Sequence, residues 1–261
     1  CKDPQIRDLP EGLIDPLLRT VTFANADGPI VRLHYYATHP QSFYGDPRAS
    51  SDVPGFARAR LEKEEGVFQI YFTGCAGNVT MGKYNDGSRE ARDQLTERLY
   101  QAMVQAARTT KYQPLRSIGW QSVPFRFVTR SDPGYREEDL RSRLANPSVD
   151  PVQRVRAACG LSFFQRAAKS LSLQALYLND AVIVHLPGEC FVEYQLYAQS
   201  LRPDAFVAVA AYGDLGPGYI CIAKAFEEGG YEPTATYLAP ENENILKETI
   251  ATLLKVQRTK P

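Results

Sequence analysis

The amino-acid sequence predicts an α/β fold, a layered mixed sheet with flanking helices. Short apolar segments with strand-like composition alternate along the chain with longer amphipathic segments of helical spacing. Clusters of Gly, Pro, Asn and Asp separate these segments, as expected of turns and loops. The 261 residues are 44% hydrophobic, which suffices for a substantial core, and no break in composition marks a second domain. We therefore expect one domain over residues 1–261.

The first half is predicted to hold a polar lead-in, three strands and two helices. Residues 1–17 are polar and Pro-rich and are expected to be irregular. The segments "LRTVTFA" and "IVRLHYYA" flank the turn signal "NADGP", which predicts a hairpin. A helix over "PGFARARLEKEEG" begins with Pro and ends with Gly. The buried strand "VFQIYFTG" follows, and Ser88 then caps a long helix that ends near Arg108.

The second half continues this alternation. A strand is predicted over "LRSIGWQSVPFRFVTR", two helices over residues 135–170, and a hairpin over "LSLQALYLNDAVIVHLPGE". A helix from Cys190 to Leu201 follows, then the apolar strand "AFVAVAAYG" and a short strand in "GPGYICI". The chain closes with the helix "NENILKETIATLLKVQ", capped by Asn242 or Asn244.

Bulk composition excludes several functional classes. The net charge is zero and there is no basic stripe, so a nucleic-acid partner is not expected. No apolar run reaches the roughly 18 residues of a membrane span. The five cysteines are scattered and form no CxxC pair, so buried free thiols are predicted, above all at Cys75, Cys190 and Cys221.

The first residue is Cys1 and not Met, so we expect the natural start to lie upstream or to have been removed.

Polar residues suited to a site follow several apolar strands. Ligands of open α/β sheets tend to bind at the carboxyl ends of strands. There "YYATHP" presents His39, "YFTGCAGNVTMG" presents Asn78 and Thr80, and "IVHLPGE" presents Glu189. The segment "GPGYICI" adds Tyr219 beside glycines that permit close approach of a ligand.

Each of these residues also has a purely structural interpretation. His39 can be a polar residue at a strand end, Glu189 can favour a helix dipole, and Tyr219 can belong to the core. The glycines of "GCAGNVTMG" do not have the spacing of a phosphate-binding loop. His34 and His185 lie in apolar runs and are predicted to be hydrogen-bonded core histidines. From the residues alone, the chain is an α/β hydrolase-like enzyme of unknown substrate.

Five ordered motifs resemble the neutral/alkaline, non-lysosomal ceramidase family. They are "YYATHP", "SSDVPGFARARLE", "FTGCAGNVTMG", "LPGECF" and "GYICIAKAFEEGGYE", and they span His39 to Tyr231. The resemblance implies a zinc-dependent amidase that cleaves the N-acyl bond of ceramide or a related lipid. It further implies that His39, Glu189 and Tyr219 bind the zinc ion, and that Tyr231 contacts the reacting carbonyl. Imidazole and carboxylate are ordinary zinc ligands, and a catalytic zinc keeps one position open for water.

The sequence departs from the family pattern in two places. The family's other zinc histidine lies upstream of the residues present here, so the resemblance implies the C-terminal portion of a catalytic domain, with a fourth ligand before Cys1 and little activity from these residues alone. Asn78, Thr80 and Met81 stand where the family has Asp, Ser and Pro, which implies a diverged, bacterial-type branch. Thr80 keeps a hydroxyl that can help to hold the site.

Two alternatives stay open at this stage. One is an inactive binding module on the same fold, and the other is a hydrolase with Thr80 as nucleophile and a histidine as base. The expected partner is a lipid or another N-acyl amide, with contact to a membrane surface possible. The resemblance suggests a secreted or periplasmic protein, while the exact substrate and the oligomeric state stay open.

Overall fold

Two β-sheets pack face to face in this protein, and helices cover the outer face of each sheet. The description rests on a computed structural model that describes residues 1–214 and 217–255. The resulting order of layers is helix, sheet, sheet, helix, so the predicted α/β class is confirmed.

The first sheet comes from the first third of the chain. Its strand order is β1-β2-β3, with β1 antiparallel and β3 parallel to the central strand. Helices α2 and α3 pack together on its outer face. The elements are α1 (Pro4–Arg7), β1 (Arg19–Asn25), β2 (Gly28–Tyr36), α2 (Asp52–Glu65), β3 (Phe68–Thr73) and α3 (Arg89–Arg108).

The second sheet comes from the rest of the chain. Its strand order is β4-β5-β6-β8, antiparallel except for the parallel pair β6 and β8, and β7 and β9 form a separate two-stranded parallel sheet. The elements are β4 (Ile118–Phe125), α4 (Glu137–Ala145), α5 (Pro151–Ala167), β5 (Leu171–Leu178), β6 (Ala181–Pro187), β7 (Glu189–Cys190), α6 (Val192–Ser200), β8 (Val207–Gly213), β9 (Tyr219–Ile220), α7 (Ala223–Glu228) and α8 (Asn242–Lys255).

Side-chain alternation along the strands explains the layered packing. Successive residues of a strand point to opposite faces of its sheet. In β8, Val207 and Val209 join the core beneath α6 and α8, while Ala208 and Ala210 face the first sheet. Both faces of this strand are therefore apolar, as expected of a strand buried on both sides.

Two β-α-β units set the place of the candidate site. A parallel strand pair needs a crossover connection, and here α2 joins β2 to β3 while α6 lies between β6 and β8. The loops that follow β2, β3 and β6 meet the carboxyl end of β8 at one edge of the molecule, where His39 after β2 contacts Glu189 after β6.

Most predicted elements are confirmed, and the differences are local. Both hairpins, the long helices and the cap of Ser88 on α3 agree with the prediction. Helix α2 begins at Asp52, two residues before the predicted Pro54, while the predicted Gly66 ends it in a left-handed conformation. The short elements β7 and α7 were not predicted. The predicted final helix also included Val256 and Gln257, which lie outside the described residues, as does Gly216.

The lead-in is less irregular than the sequence predicts. It contains α1, and its Asp15 is buried. The Asp15 carboxylate accepts hydrogen bonds from the amides of Gln195 at 2.6 Å and Gln199 at 2.8 Å and pairs with Arg19. Since Gln195 also accepts from the amide N–H of Cys75, this cluster ties the lead-in to α6 and to the loop after β3.

The remaining histidines and the cysteines lie away from the candidate site or are inert. His34 is fully buried and hydrogen-bonded at both ring nitrogens, as predicted. His185 is only half-buried, with its ring 5.7 Å from that of Trp120, so the prediction of a core histidine is wrong at this position. All five cysteines are free, and Cys75, Cys190 and Cys221 are buried as predicted. Within the described residues, no helix combines the length and apolar character that crossing a membrane requires.

Candidate active site

His39 is held by the loop that follows β3. Its backbone N–H donates to the carbonyl oxygen of Val79 at 2.8 Å, and its ring Nδ1 lies 2.5 Å from the carbonyl oxygen of Ala76. A carbonyl oxygen can only accept, so Nδ1 carries a hydrogen and the ring orientation is fixed. The other ring nitrogen, Nε2, therefore points to the opposite side.

Nε2 of His39 faces the carboxylate of Glu189, and the two atoms are 3.0 Å apart. In a neutral imidazole protonated at Nδ1, Nε2 carries a lone pair and can only accept a hydrogen bond. Two acceptors, Nε2 and the carboxylate oxygen, would then face each other. The contact is stable only with a proton or a cation between them. Burial lowers the pKa of His39, but the hydrogen bonds to Glu189 and to the Ala76 carbonyl outweigh burial, so its pKa is raised. Both side chains are shielded, with exposed fractions of 13% for His39 and 30% for Glu189.

Glu189 and Tyr219 stand opposite each other on the pair β7 and β9. They are register partners, and the backbone N–H of Glu189 donates to the carbonyl oxygen of Gly218 at 3.0 Å. The ring of Tyr219 lies 6.3 Å from the ring of His39. Burial and then the charge of Glu189 raise the pKa of Tyr219, so its hydroxyl stays protonated at neutral pH. The structure thus brings His39, Glu189 and Tyr219 together.

A cleft of about 520 Å³ opens in front of Glu189 and Tyr219. Tyr231 also lines it, with its ring 5.9 Å from that of Tyr219 and 54% of the residue exposed. Four tyrosines contribute to this cleft: Tyr135, Tyr219, Tyr231 and Tyr237. The residues implied as ligands therefore adjoin a space that can admit a substrate, with phenol hydroxyls on its walls.

Asn78 and Thr80 line a different space. They border an apolar cavity of about 860 Å³ together with Glu193 and the lead-in. The side-chain oxygen of Asn78 accepts from the backbone N–H of Val192 at 2.8 Å, and its amide donates to Glu193 at 2.9 Å. Asn78 thus caps the start of α6 and links the loop of Ala76 to the segment of Glu189. The structure places neither side chain in the tyrosine-lined cleft.

Tyr212 is a site residue that the sequence analysis missed. Its hydroxyl lies 3.3 Å from Nε2 of His39, and the two rings meet edge to face. The backbone φ of Tyr212 is +65°, a strained value for a residue with a side chain, and its N–H donates to the carbonyl oxygen of Gly188. Tyr212 lies near the carboxyl end of β8, so the strand-end criterion that selected His39 also applies to it.

Gly77 allows the His39 loop to approach the Glu189 segment. Its N–H donates to the carbonyl oxygen of Cys190 at 2.8 Å. A Cβ atom on Gly77 would lie 2.4 Å from the carbonyl oxygen of Glu189, which is too close for any side chain. At Gly82 in the same loop, the nearest atom would be 3.5 Å away.

Solved ceramidase structures are similar to this chain. The neutral ceramidase from Pseudomonas aeruginosa aligns with a TM-score of 0.66 at 14% sequence identity, over 92% of this chain and 46% of its own. A ceramidase complexed with C2 aligns with a TM-score of 0.67 at 15% identity, over 92% of this chain and 48% of its own. This chain shares the ceramidase fold. It spans about half the length of these structures, and no family model and no curated protein matches its sequence.

The donor set of the candidate site fits a zinc ion in part. Imidazole nitrogen and carboxylate oxygen are the usual partners of zinc, and a zinc-binding histidine normally donates its other N–H to a carbonyl or carboxylate. His39 makes that second contact through Ala76, and its Nε2 and the Glu189 carboxylate face each other. In the part of the chain that the structure describes, no group of three or more His, Cys, Asp or Glu forms a metal cluster. Tyrosine hydroxyls complete the local set of donors.

Proposed function

We propose that this chain is the C-terminal portion of the catalytic domain of a zinc-dependent amidohydrolase of the neutral ceramidase type, diverged from the family at Asn78, Thr80 and Met81. It would hydrolyse the N-acyl amide bond of ceramide or a related N-acyl lipid. The observation that carries the proposal is the His39–Glu189 contact, in which Nε2 and a carboxylate oxygen lie 3.0 Å apart beside a tyrosine-lined cleft. The ceramidase fold supports it.

The proposed zinc ligands are His39, Glu189 and Tyr219, and a fourth protein ligand would come from upstream of Cys1. A zinc ion bound there would polarise the amide carbonyl and lower the pKa of a bound water towards ~7. The Ala76 carbonyl would hold the His39 ring in the tautomer that leaves Nε2 free to bind metal.

The tyrosines would act as hydrogen-bond donors to the reacting group. Burial raises the pKa of Tyr212, and the charge of Glu189 adds to this effect, so its hydroxyl keeps its proton at neutral pH. Tyr231 lines the cleft, and its hydroxyl lies 3.5 Å from Nη2 of Arg156, which also lines it. A protonated hydroxyl aimed at the developing oxyanion stabilises a tetrahedral intermediate without needing to reorganise. We assign this role to Tyr231 first. Tyr212, which lies beside the proposed ligand His39, is the second candidate.

The arrangement favours this mechanism over one with Thr80 as nucleophile. A threonine nucleophile needs a base within hydrogen-bond reach. His39 directs Nδ1 to the Ala76 carbonyl and Nε2 to Glu189, so neither nitrogen faces Thr80. We propose that Asn78 and Thr80 support the loop that holds His39 and do not react themselves.

Replacement of Glu189 by Ala tests the proposal in the full-length protein. Zinc content would be measured by mass spectrometry and amide hydrolysis with a ceramide as substrate. We expect one zinc ion per chain in the unmodified protein, with loss of both zinc and hydrolysis in Glu189→Ala, because a carboxylate ligand is removed. Glu227→Ala is the matched control, since Glu227 is exposed on α7 and outside the cleft. Stoichiometric zinc in Glu189→Ala contradicts the metal site, and zinc-free unmodified protein indicates a binding module instead.

A further inference from the structure

Two arginines line the outer wall of the tyrosine-lined cleft. Arg143 on α4 and Arg156 on α5 border the same space as Glu189 and Tyr219. The helices α4 and α5 pack against each other as a hairpin, so both guanidinium groups come from one rigid unit. Gln153 of the same hairpin also lines the cleft. The hairpin thus presents cationic and polar groups to a cleft whose inner end is the proposed reaction centre.

Within the described residues, neither arginine has an acidic partner, unlike some arginines nearby. Arg141, also on α4, pairs with Glu137 at 2.5 Å, and Arg130 pairs with Asp132 at 2.5 Å. Within the described residues, Arg143 donates to the carbonyl oxygen of Gly134 at 3.0 Å and forms no ion pair.

Arg156 is likewise without an acidic partner in the described part of the chain. Its Nη2 lies 3.5 Å from the hydroxyl of Tyr231. Its own carbonyl oxygen accepts from the Tyr237 hydroxyl, which fixes the backbone of α5 at the cleft wall. Most of the donors on its guanidinium therefore remain available.

The carboxylates around the cleft do not neutralise this pair. Among the described residues that line the cleft, Glu189 is the one acidic side chain, and it faces His39. Glu232 acts electrostatically on Tyr219 but is not part of the lining. Unpaired guanidinium groups on a concave wall attract anions and bind carboxylate or phosphate oxygens with directed hydrogen bonds.

The positions of Arg156 and Tyr231 limit how far an anion can lie from the amide. Under the proposed function, Tyr231 contacts the reacting carbonyl, and Arg156 is 3.5 Å from that same hydroxyl. An anionic group bound by Arg156 would therefore lie only a few bonds from the amide nitrogen. A long neutral amine portion would leave both guanidinium groups without a partner.

We propose that the cleft selects N-acyl amides whose amine portion carries an anionic oxygen group, a carboxylate or a phosphate, close to the amide nitrogen. Arg143 and Arg156 bind this group and determine specificity. The assignment of the amide end rests on the proposed function, whereas the anion subsite rests on the arginines alone.

Calorimetric titration of the full-length protein tests the subsite, because it measures binding and does not depend on turnover. If the protein hydrolyses a probe, the titration is done with the variant Glu189→Gln. The probes are N-octanoylglycine and N-octanoyl-phosphoethanolamine, the neutral N-octanoylglycinamide, and 6-(octanoylamino)hexanoate, whose carboxylate is remote. We expect at least one of the two close anions to bind about tenfold or more tighter than the neutral and the remote probes, because charge-assisted bonds to Arg are strong.

Arg143→Met, Arg156→Met and the double variant show whether the arginines cause this preference. We expect the double variant to bind all probes about equally, and Arg141→Met to behave like the unmodified protein, because its partner is Glu137 and it lies outside the cleft. Unchanged affinity for the neutral probe shows that the variants are folded. If the double variant does not fold, the unmodified protein still tests the proposal. Tighter binding of N-octanoylglycine than of 6-(octanoylamino)hexanoate supports it, and equal binding contradicts it.

Equal binding of anionic and neutral probes by the unmodified protein overturns the proposal, as does an anion preference that survives in the double variant. Failure of the two proposals can be told apart. Anion preference without hydrolysis of any amide supports the subsite and contradicts the amidohydrolase. Hydrolysis of ceramide without anion preference supports the amidohydrolase and contradicts the subsite.

Discussion

His39 is a proposed ligand because of two contacts on opposite sides of its ring. The Ala76 carbonyl fixes the hydrogen on Nδ1, and Glu189 stands before Nε2 at 3.0 Å. By contrast, His34 satisfies both of its ring nitrogens with Thr20 and Gln69 inside the first sheet. The difference between a candidate ligand and a core histidine is therefore a matter of partners, which the sequence around each residue does not reveal.

Gly77→Ala is a residue-scale test of the site. A Cβ atom at this position would lie 2.4 Å from the Glu189 carbonyl oxygen, and both atoms are fixed by backbone, so the loop of His39 must move away. We expect a loss of roughly 1–3 kcal/mol in the free energy of unfolding, as in other overpacked sites. We also expect zinc affinity to fall by at least about tenfold because the two ligands separate.

Gly82→Ala is the control for this change. It lies in the same loop, but its added methyl would meet its nearest neighbour at an ordinary contact distance of 3.5 Å. Urea unfolding and zinc titration of the two variants should differ clearly. Equal effects of the two substitutions would contradict the assigned role of Gly77.

Some site residues could be selected from the sequence and others could not. His39, Glu189 and Tyr219 follow apolar strands and belong to motifs with a family resemblance, and the structure brings them together. Tyr212 satisfied the same strand-end criterion but lacked a motif. Arg156 sits in a helix without any special local signal, since its neighbour across the cleft is Tyr231, 75 residues away in sequence.

At the scale of elements, the strands with clear alternation and the capped helices could be predicted. The turn residues fixed both hairpins, and Ser88 fixed the start of α3. The sequence predicts a short strand at β9 but not its partner β7, which exists only through its pairing with β9. Since Glu189 and Tyr219 lie on these strands, the part of the fold that builds the site is the part that local sequence determines least.

The first sheet carries a pH-dependent contribution to stability at His34. Burial lowers the pKa of His34, although a hydrogen bond to Gln69 opposes this effect. The unfolded chain takes up a proton near pH ~6.5, while the folded sheet resists it. The contribution of His34 to the free energy of unfolding is therefore fully present above that pH. It decreases as the pH falls below it, by up to about 1.4 kcal/mol per pH unit, until the pH reaches the pKa of His34 in the folded protein.

A comparison of the native chain with His34→Leu isolates this contribution. The free energy of unfolding would be measured by urea denaturation at several values between about pH 7.5 and pH 5. We expect the native chain to lose more stability than the variant on acidification, because the other histidines are common to both proteins. Identical slopes would show that His34 does not resist protonation in the folded state.

At the scale of the whole molecule, the candidate site lies where the two sheets meet. His39 follows β2 of the first sheet, Glu189 follows β6 of the second, and Tyr212 lies near the carboxyl end of β8. The sheets contact each other through a cluster of apolar residues that includes Ala208, Ala210 and Tyr35. The spacing of the sheets therefore sets the distance between the proposed ligands.

Ala208→Leu would enlarge a fully buried residue between the sheets. We expect it to cost roughly 1–3 kcal/mol of stability and to weaken zinc binding, because the sheets must separate. Val209→Ala is the matched control on the same strand, since it removes volume from the core beneath the helices at a similar cost of about 1–3 kcal/mol. The control should keep its zinc affinity. Equal zinc affinity in both variants, at a temperature where both are folded, would contradict this coupling.

The layered arrangement itself follows from the sequence only in part. Apolar residues on both faces of β6 and β8 indicate strands covered on both sides, yet nothing local indicates that one cover is a second sheet and the other a set of helices. The fold class could therefore be predicted from the sequence. Only the structure shows that two sheets pack against each other and that the candidate site lies where they meet.

Anomalous diffraction from crystals of the full-length protein at the zinc absorption edge tests the proposed metal site directly. We expect one strong peak between Nε2 of His39 and the carboxylate of Glu189, within bonding distance of ~2.0–2.2 Å from each. The peak should be absent from crystals of Glu189→Ala. A structure of zinc-loaded protein with no peak at this position, or with the metal bound by other residues, would contradict the proposed site.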